Sequence, residues 1–163
     1  MDLATTMIAT AALMGSALIG GVFFAFSSFV MKALARVPAP QGIAAMQSIN
    51  VVVINRSFLG TFMGTAALSF GLVVTTLVFG NGASTAWFVA GAFAYILGTF
   101  LVTLWANVPL NNRLAAASPT HAESHPFWRH YVTRWTLWNH VRTLAAITAA
   151  LLFAIGLAQP AIH

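Results

Sequence analysis

The residues of this chain that are able to do chemistry are concentrated near its end, in a string that runs from Trp135 to Arg142. In a helix, Trp135, Trp138, Asn139 and Arg142 have the spacing i, i+3, i+4 and i+7, which places them on one face. This face carries two flat aromatic rings, an amide and a guanidinium group that stays charged at ordinary pH. Such a set of groups suits a planar ligand that bears a carbonyl or a negative charge.

Further amides and one more cation occur close to the ends of apolar runs. Asn107 and Asn111 lie in one short string, and Asn55 and Arg56 lie in another. Because an amide is costly at membrane depth without hydrogen-bonding partners, the density of these groups favours a shared binding site. The alternative is a membrane interface, where tryptophan anchors the protein and arginine meets lipid phosphate. The predicted ligand-binding residues are Trp135, Trp138, Asn111, Asn107, Arg56 and Asn55.

The histidines fall into two groups with different predicted roles. His140 lies within the string of aromatic and amide residues and is the plausible neutral-pH base beside them. His121, His125 and His130 share one polar stretch, and the first two have the helical spacing that a pair of metal ligands needs. Pro126 and the polar composition favour a solvated loop there, so a metal site is the weaker alternative.

The composition shows which elements must position these side chains. The chain has 163 residues, of which 60% are hydrophobic and 6% are charged. Soluble domains carry about a quarter charged residues, so this chain lacks the polar groups to cover a surface that faces water. Its cations lie beside apolar runs, which argues against nucleic-acid binding. Cysteine is absent, which excludes disulfides and thiolate chemistry.

Four apolar runs are long enough to cross a bilayer, or nearly so, at approximately 5–30, 57–78, 86–105 and 141–158. About 20 helical residues cross a hydrocarbon core of about 30 Å. The runs lack the alternation of barrel strands, so helices are the expected form. We therefore predict an all-α integral membrane four-helix bundle that forms a single domain over residues 1–163, with the lipid bilayer as its surroundings.

The cations predict the orientation of this bundle. All seven Lys and Arg residues belong to the connections 31–56 and 106–140 or to the start of the fourth span, and the short connection 80–85 has none. The positive-inside rule makes these two connections cytoplasmic and both termini external, in a membrane that we expect to be the bacterial inner membrane. The inner side has one acid, Glu123, so few of the cations have a carboxylate partner.

The connections and the small residues predict further detail. Ile43, Met46, Ile49 and Val53 have helical spacing and indicate a short interfacial helix between the first two spans. Ser118-Pro119 and His125-Pro126 are expected breaks in the last connection. Small residues at a spacing of four, such as Gly60 and Gly64, let helices approach closely. Packing within the bundle is favoured over a homo-oligomer seam, and Gly91 and Gly98, which lie two turns apart, are expected to have the same role.

The string Asn107-Val108-Pro109-Leu110-Asn111, followed by the pattern of Trp135, Trp138, Asn139, His140 and Arg142, resembles the anthrone oxygenase family of small membrane proteins. The similarity extends over nearly the whole chain, including the four spans. It implies oxidation of an anthrone methylene group to a quinone carbonyl by O₂, without an organic cofactor.

The resemblance also implies roles for the predicted catalytic residues, which are His140, Arg142 and Asn139. His140 would accept the proton that leaves the anthrone carbon. Arg142, with Asn139 or Asn111, would stabilise the oxyanion that develops. Trp135 and Trp138 would hold the ring plane of the substrate, and O₂ would be the co-substrate.

The sequence is also compatible with two other functions. The same face would serve a non-catalytic membrane protein that binds a quinone, a lipid or a partner subunit. A metal-dependent oxidoreductase that uses His140 or the three other histidines is the third possibility. No acid lies within a span, which argues against a proton-coupled carrier.

Overall fold

The computed structural model describes residues 2–79 and 82–159, and in this part of the chain all regular secondary structure is helical, without a strand. Four of its helices are long and apolar enough to cross a membrane, one for each predicted span. The prediction of an all-α four-helix membrane protein is confirmed, whereas the orientation of the termini stays a prediction. The helices are α1 (Leu3–Arg36), α2 (Ala39–Val52), α3 (Arg56–Phe79), α4 (Ser84–Ala115) and α5 (Ser124–Leu157).

The four long helices form a ring in which α1 and α4 each pack against α3 and α5. The interior holds large apolar side chains such as Phe88, Tyr95 and Phe153, each fully buried. The outer surface is apolar as well, since Leu144 is 67% exposed and Trp105 is 76% exposed. A surface of this kind is stable in lipid rather than in water.

The helices extend into the stretch that the sequence assigned to the last connection. Helix α4 continues to Ala115 and α5 already begins at Ser124, so only a short segment joins them. The expected break at Ser118-Pro119 lies in this segment and is confirmed. The expected break at His125-Pro126 is wrong, because Pro126 lies in the first turn of α5, where a backbone N–H would have no partner in the helix.

Helix α2 exists as predicted, and its apolar face packs on protein. Ile43 and Met46 are buried in a cluster with Trp128 and Tyr131 of α5. The side chain of Gln47 donates hydrogen bonds of 2.8 Å to two carbonyl oxygens at the end of α4. Helix α2 is therefore fixed across the end of the bundle where α1 and α4 end and α5 begins.

The glycines of the long helices differ in whether another helix packs closely against them. A Cβ atom at Gly98 would lie 2.5 Å from the Cβ of Ala145, so this glycine lets α4 approach α5. Gly60, Gly64 and Gly71 of α3 have nothing within 4 Å of such an atom. Packing within the bundle was thus the correct interpretation for Gly98 and the wrong one for the α3 glycines, because these point away from the other helices.

Candidate functional site

Three π-helical turns distort α1 and α4 where they face the same part of α5. They span Phe26–Val30 in α1, and Ala94–Leu101 and Thr103–Asn107 in α4. Pro109 follows the last of them and has no N–H to donate to the carbonyl of Trp105. Insertions of this type widen a helix and redirect its side chains, and they are frequent at functional sites.

Asn139 connects α5 to α1 through its side-chain amide. Its Nδ2 donates to the backbone oxygen of Phe23 at 2.7 Å and to the hydroxyl of Ser27 at 2.8 Å. Its Oδ1 accepts a hydrogen bond of 2.7 Å from Arg142. The residue is fully buried and both ends of its amide have partners. Asn139 thereby holds the guanidinium group in one position relative to α1.

Arg142 is 4% exposed and is surrounded by polar and aromatic groups. Its Nη1 donates to the hydroxyl of Thr103 at 3.2 Å, and its Nη2 donates to Asn139. The guanidinium carbon lies 4.1 Å from the ring centroid of Phe23 and 5.1 Å from that of Trp135. Its Nε has no partner among the residues that the structure describes. Part of the hydrogen-bonding capacity of this cation is therefore unused.

No side-chain carboxylate of the described residues neutralises Arg142. The two acids of the chain are Asp2 and Glu123. Asp2 caps the start of α1, at the other end of the bundle. Glu123 is exposed and precedes α5, about 28 Å from Arg142 along the helix axis. A buried cation without a partner is strongly unfavourable, so the arrangement suits a ligand that brings a negative charge or a polarised oxygen.

The string from Asn107 to Asn111 lies on α4 and packs against the part of α5 that precedes Arg142. Oδ1 of Asn111 accepts hydrogen bonds of 2.8 Å from the hydroxyl of Tyr131 and from Nε1 of Trp135. Nδ2 of Asn107 donates to the backbone oxygen of Trp135 at 3.2 Å. These bonds fix the indole that lies beside the guanidinium group. We call the following set the Arg142 site: Asn107, Asn111, Tyr131, Trp135, Asn139 and Arg142.

Two of the predicted site residues lie at the start of α3, outside the Arg142 site. Asn55 is exposed and caps α3, since its Oδ1 accepts a hydrogen bond of 2.9 Å from the backbone N–H of Phe58. Arg56 is the first residue of α3 and its side chain is exposed. Trp138 is half-buried, in contrast to Trp135, which is 5% exposed. The structure therefore brings neither Asn55 nor Arg56 into the Arg142 site.

The four histidines that the structure describes also lie outside the Arg142 site. His140 is exposed because it leaves α5 on a different face from its neighbour Asn139, successive helical residues being about 100° apart. His121 and His130 are exposed and His125 is half-buried. Among residues 2–79 and 82–159, no three His, Cys, Asp or Glu side chains come together as metal ligands would.

Sequence reasoning missed several members of the site and its surroundings. Tyr131 precedes Trp135 by four residues, and this helical spacing was a usable signal. Phe23, Ser27 and Thr103 carried no such signal, because a serine or threonine within an apolar run is ordinary in a membrane helix. Their positions depend on how α1 and α4 are rotated against α5, which the one-dimensional pattern does not give.

These observations define an integral membrane four-helix protein with a buried, cationic site between its helices. The family model described as "Anthrone oxygenase" matches residues 49–152, which is more than half of the chain. The chain therefore belongs to the anthrone oxygenase family, and the resemblance inferred from its sequence is confirmed. No curated protein and no solved structure matches the chain. The matched segment contains the whole Arg142 site, whereas Phe23 and Ser27 of α1 lie outside it.

Proposed function

We propose that the Arg142 site binds a planar aromatic substrate, anthrone-like or quinol-like, in its anionic form and that the protein oxidises this substrate with O₂. The observation that carries the proposal is the buried guanidinium of Arg142, which has no carboxylate partner and an unused Nε donor. Membership of the anthrone oxygenase family supports the same substrate class.

The contribution of the chain to this reaction is mainly electrostatic. An anthrone loses a proton from carbon because the resulting anion spreads over the rings and onto the oxygen. Arg142 stabilises that oxygen from a fixed position, and placed donors of this kind contribute strongly to catalysis when charge develops beside them. Asn139 has no free donor and acts as a positioning residue for Arg142. Trp135 presents a fixed aromatic face beside the guanidinium.

The oxidation balances with O₂ as the sole oxidant. The substrate CH₂ group loses a proton to water, and the anion transfers an electron pair in total to O₂ as a C–O bond forms. The resulting peroxide takes up a proton to become a hydroperoxide. Loss of water then breaks the O–O bond and the remaining C–H bond and leaves a C=O group. One O₂ is consumed, and one water is formed, for each quinone carbonyl.

Oxygen uptake by the purified protein in detergent tests the proposal directly. The expected result is consumption of one O₂ for each anthrone converted to quinone, above the rate in buffer with detergent alone. The activity should persist after dialysis against a chelator, since no organic cofactor or metal has a role in this proposal. Loss of activity on chelation, with recovery on addition of one metal, would support the metal-dependent alternative instead.

A second candidate function is binding of a quinone or quinol without catalysis. The observation that favours it is the exposure of His140, which leaves the Arg142 site without an imidazole that could act as a base. The two functions differ in one measurement. Saturable quenching of tryptophan fluorescence by a quinone, together with O₂ uptake no faster than in the buffer control, would favour binding alone.

A further inference from the structure

The side chain of Asn107 has one polar atom in use and one without a partner. The residue is 1% exposed. Its Nδ2 donates to the backbone oxygen of Trp135, and because a carbonyl oxygen only accepts, this bond fixes the orientation of the amide. Its Oδ1 is buried without a donor among the described residues. A buried acceptor without a donor is unfavourable, so a donor from outside the chain would stabilise it.

A second unused group lies beside the same tryptophan. Nε of Arg142 is a buried donor without an acceptor, and the guanidinium carbon is 5.1 Å from the ring of Trp135. Asn107 reaches Trp135 from α4, while Arg142 lies two turns further along α5. One unused acceptor, on the residue bonded to the backbone of Trp135, and one unused donor, beside its indole, therefore lie at the same residue of α5. A ligand that fills both carries an oxygen that accepts and, elsewhere on the same framework, a donor group such as a ring hydroxyl.

We infer that Asn107 is a specificity-determining residue that accepts a hydrogen bond from a ring hydroxyl of the substrate. The inference rests on the proposed function for the class of ligand, and it adds the residue that recognises a ring hydroxyl of that ligand. A ring that carries a methyl ether in place of that hydroxyl has no donor for Oδ1. A site that is built to hydrogen-bond a hydroxyl rejects analogues without one far more strongly than an apolar pocket rejects a change of size.

Equilibrium binding of matched quinones tests the inference. The probes are positional isomers of monohydroxyanthraquinone, each paired with its methyl ether, and the measurement is quenching of tryptophan fluorescence in detergent. The wild-type protein should bind the hydroxyl member of at least one pair about tenfold more tightly or better. Asn107→Leu, which removes the acceptor at similar volume, should bind both members of that pair equally. Asn112→Leu alters an exposed amide on the same helix and should leave the preference unchanged.

Two results would overturn the inference. One is a wild-type protein that shows no hydroxyl preference in any pair, which would mean that water satisfies Oδ1; this measurement does not depend on whether a variant folds. The other is a preference that Asn107→Leu retains in full. Since quinone binding needs no turnover, a hydroxyl preference without O₂ uptake would reject the proposed oxidation and keep the role of Asn107.

Discussion

Arg142 donates a hydrogen bond of 2.7 Å to the side-chain oxygen of Asn139, which lies one turn earlier on α5. The same amide is bonded to Phe23 and Ser27 of α1, so the position of the guanidinium depends on the packing of two helices. This arrangement separates two roles. In the proposed function Arg142 meets the ligand, and Asn139 holds the guanidinium group in place. The predictions below test the two roles and the fold that supports them.

Arg142→Lys should lose most of the activity although it keeps the positive charge. A lysine ammonium cannot reproduce the planar fork that bonds Asn139 and Thr103 at once. We expect kcat for anthrone oxidation to fall by about 100-fold, the effect of removing one placed donor at an oxyanion. Arg134→Lys changes an exposed cation on the same helix and is the matched control. Equal activities of the two variants would remove Arg142 from the proposed reaction.

Asn139→Leu should lower the stability of the fold. The change leaves Nη2 of Arg142 without its partner, while the hydroxyl of Ser27 keeps Thr143 and the backbone oxygen of Phe23 keeps the N–H of Phe26. A cost of about 1–3 kcal/mol is expected from each buried polar group that stays unpaired. Reversible unfolding of the protein in mixed micelles measures the difference. A variant as stable as the wild type would show that α1 and α5 do not depend on this amide.

His140→Ala should leave the rate of anthrone oxidation within about twofold of the wild type, because surface substitutions of this kind have small effects. The side chain is exposed and lies on another face of α5 from Arg142. The rate of O₂ uptake with saturating substrate is the measurement. A drop of two orders of magnitude would restore His140 as the base that the sequence alone suggested.

Gly98→Ala and Gly64→Ala should have opposite effects on stability. The new methyl group at Gly98 meets Ala145 of α5 at 2.5 Å, and separating the two helices should cost about 1–3 kcal/mol. The methyl group at Gly64 meets nothing within 4 Å, and the better helix propensity of alanine should add about 0.5–1 kcal/mol. Thermal unfolding in one detergent compares them. Strong destabilisation by Gly64→Ala would instead indicate that α3 packs on a second copy of the chain.

Reporter fusions should place the segments before α3 and before α5 on the cytoplasmic side. Lys32, Arg36 and Arg56 lie near the first of these segments, and Arg113 and Arg129 lie near the second. All are exposed at the end of the bundle that α2 covers. The positive-inside rule gives that end its orientation. Reporters that found the two segments on opposite sides would contradict the four-span topology.

The number and type of the elements were predictable because lipid imposes a simple rule on the sequence. A helix that crosses a bilayer needs a long apolar run, and each of the four runs became one helix. The residues at which these helices begin and end were less predictable. The polar residues from Asn107 to Arg113 continue α4 instead of starting a loop, because π-helical turns accommodate Pro109 within the helix. Composition alone does not show that a polar string is covered by another helix such as α2.

The Arg142 site was predictable on α5 and only in part elsewhere. Trp135, Asn139 and Arg142 share a buried face, as their spacing indicated. The sequence also identified Asn107 and Asn111, because amides are unusual beside apolar runs. It also grouped Asn55 with them, whereas the structure uses this amide to cap α3, because a helix cap uses the same residue type as a binding site. Proximity in sequence suggested His140 as the base of the site, but adjacent residues of a helix point to different sides.

The length of α5 has a consequence for how a substrate would arrive. Its 34 residues measure about 51 Å, and the hydrocarbon core is about 30 Å thick, so one end must project. Arg142 is about 22 Å from the end at Leu157, which is within the thickness of the hydrocarbon layer. An apolar aromatic compound would then dissolve in the bilayer and enter the Arg142 site from the lipid. Its apparent KM would scale with the amount of lipid or detergent present, and dilution into more micelles would slow the reaction at constant total substrate.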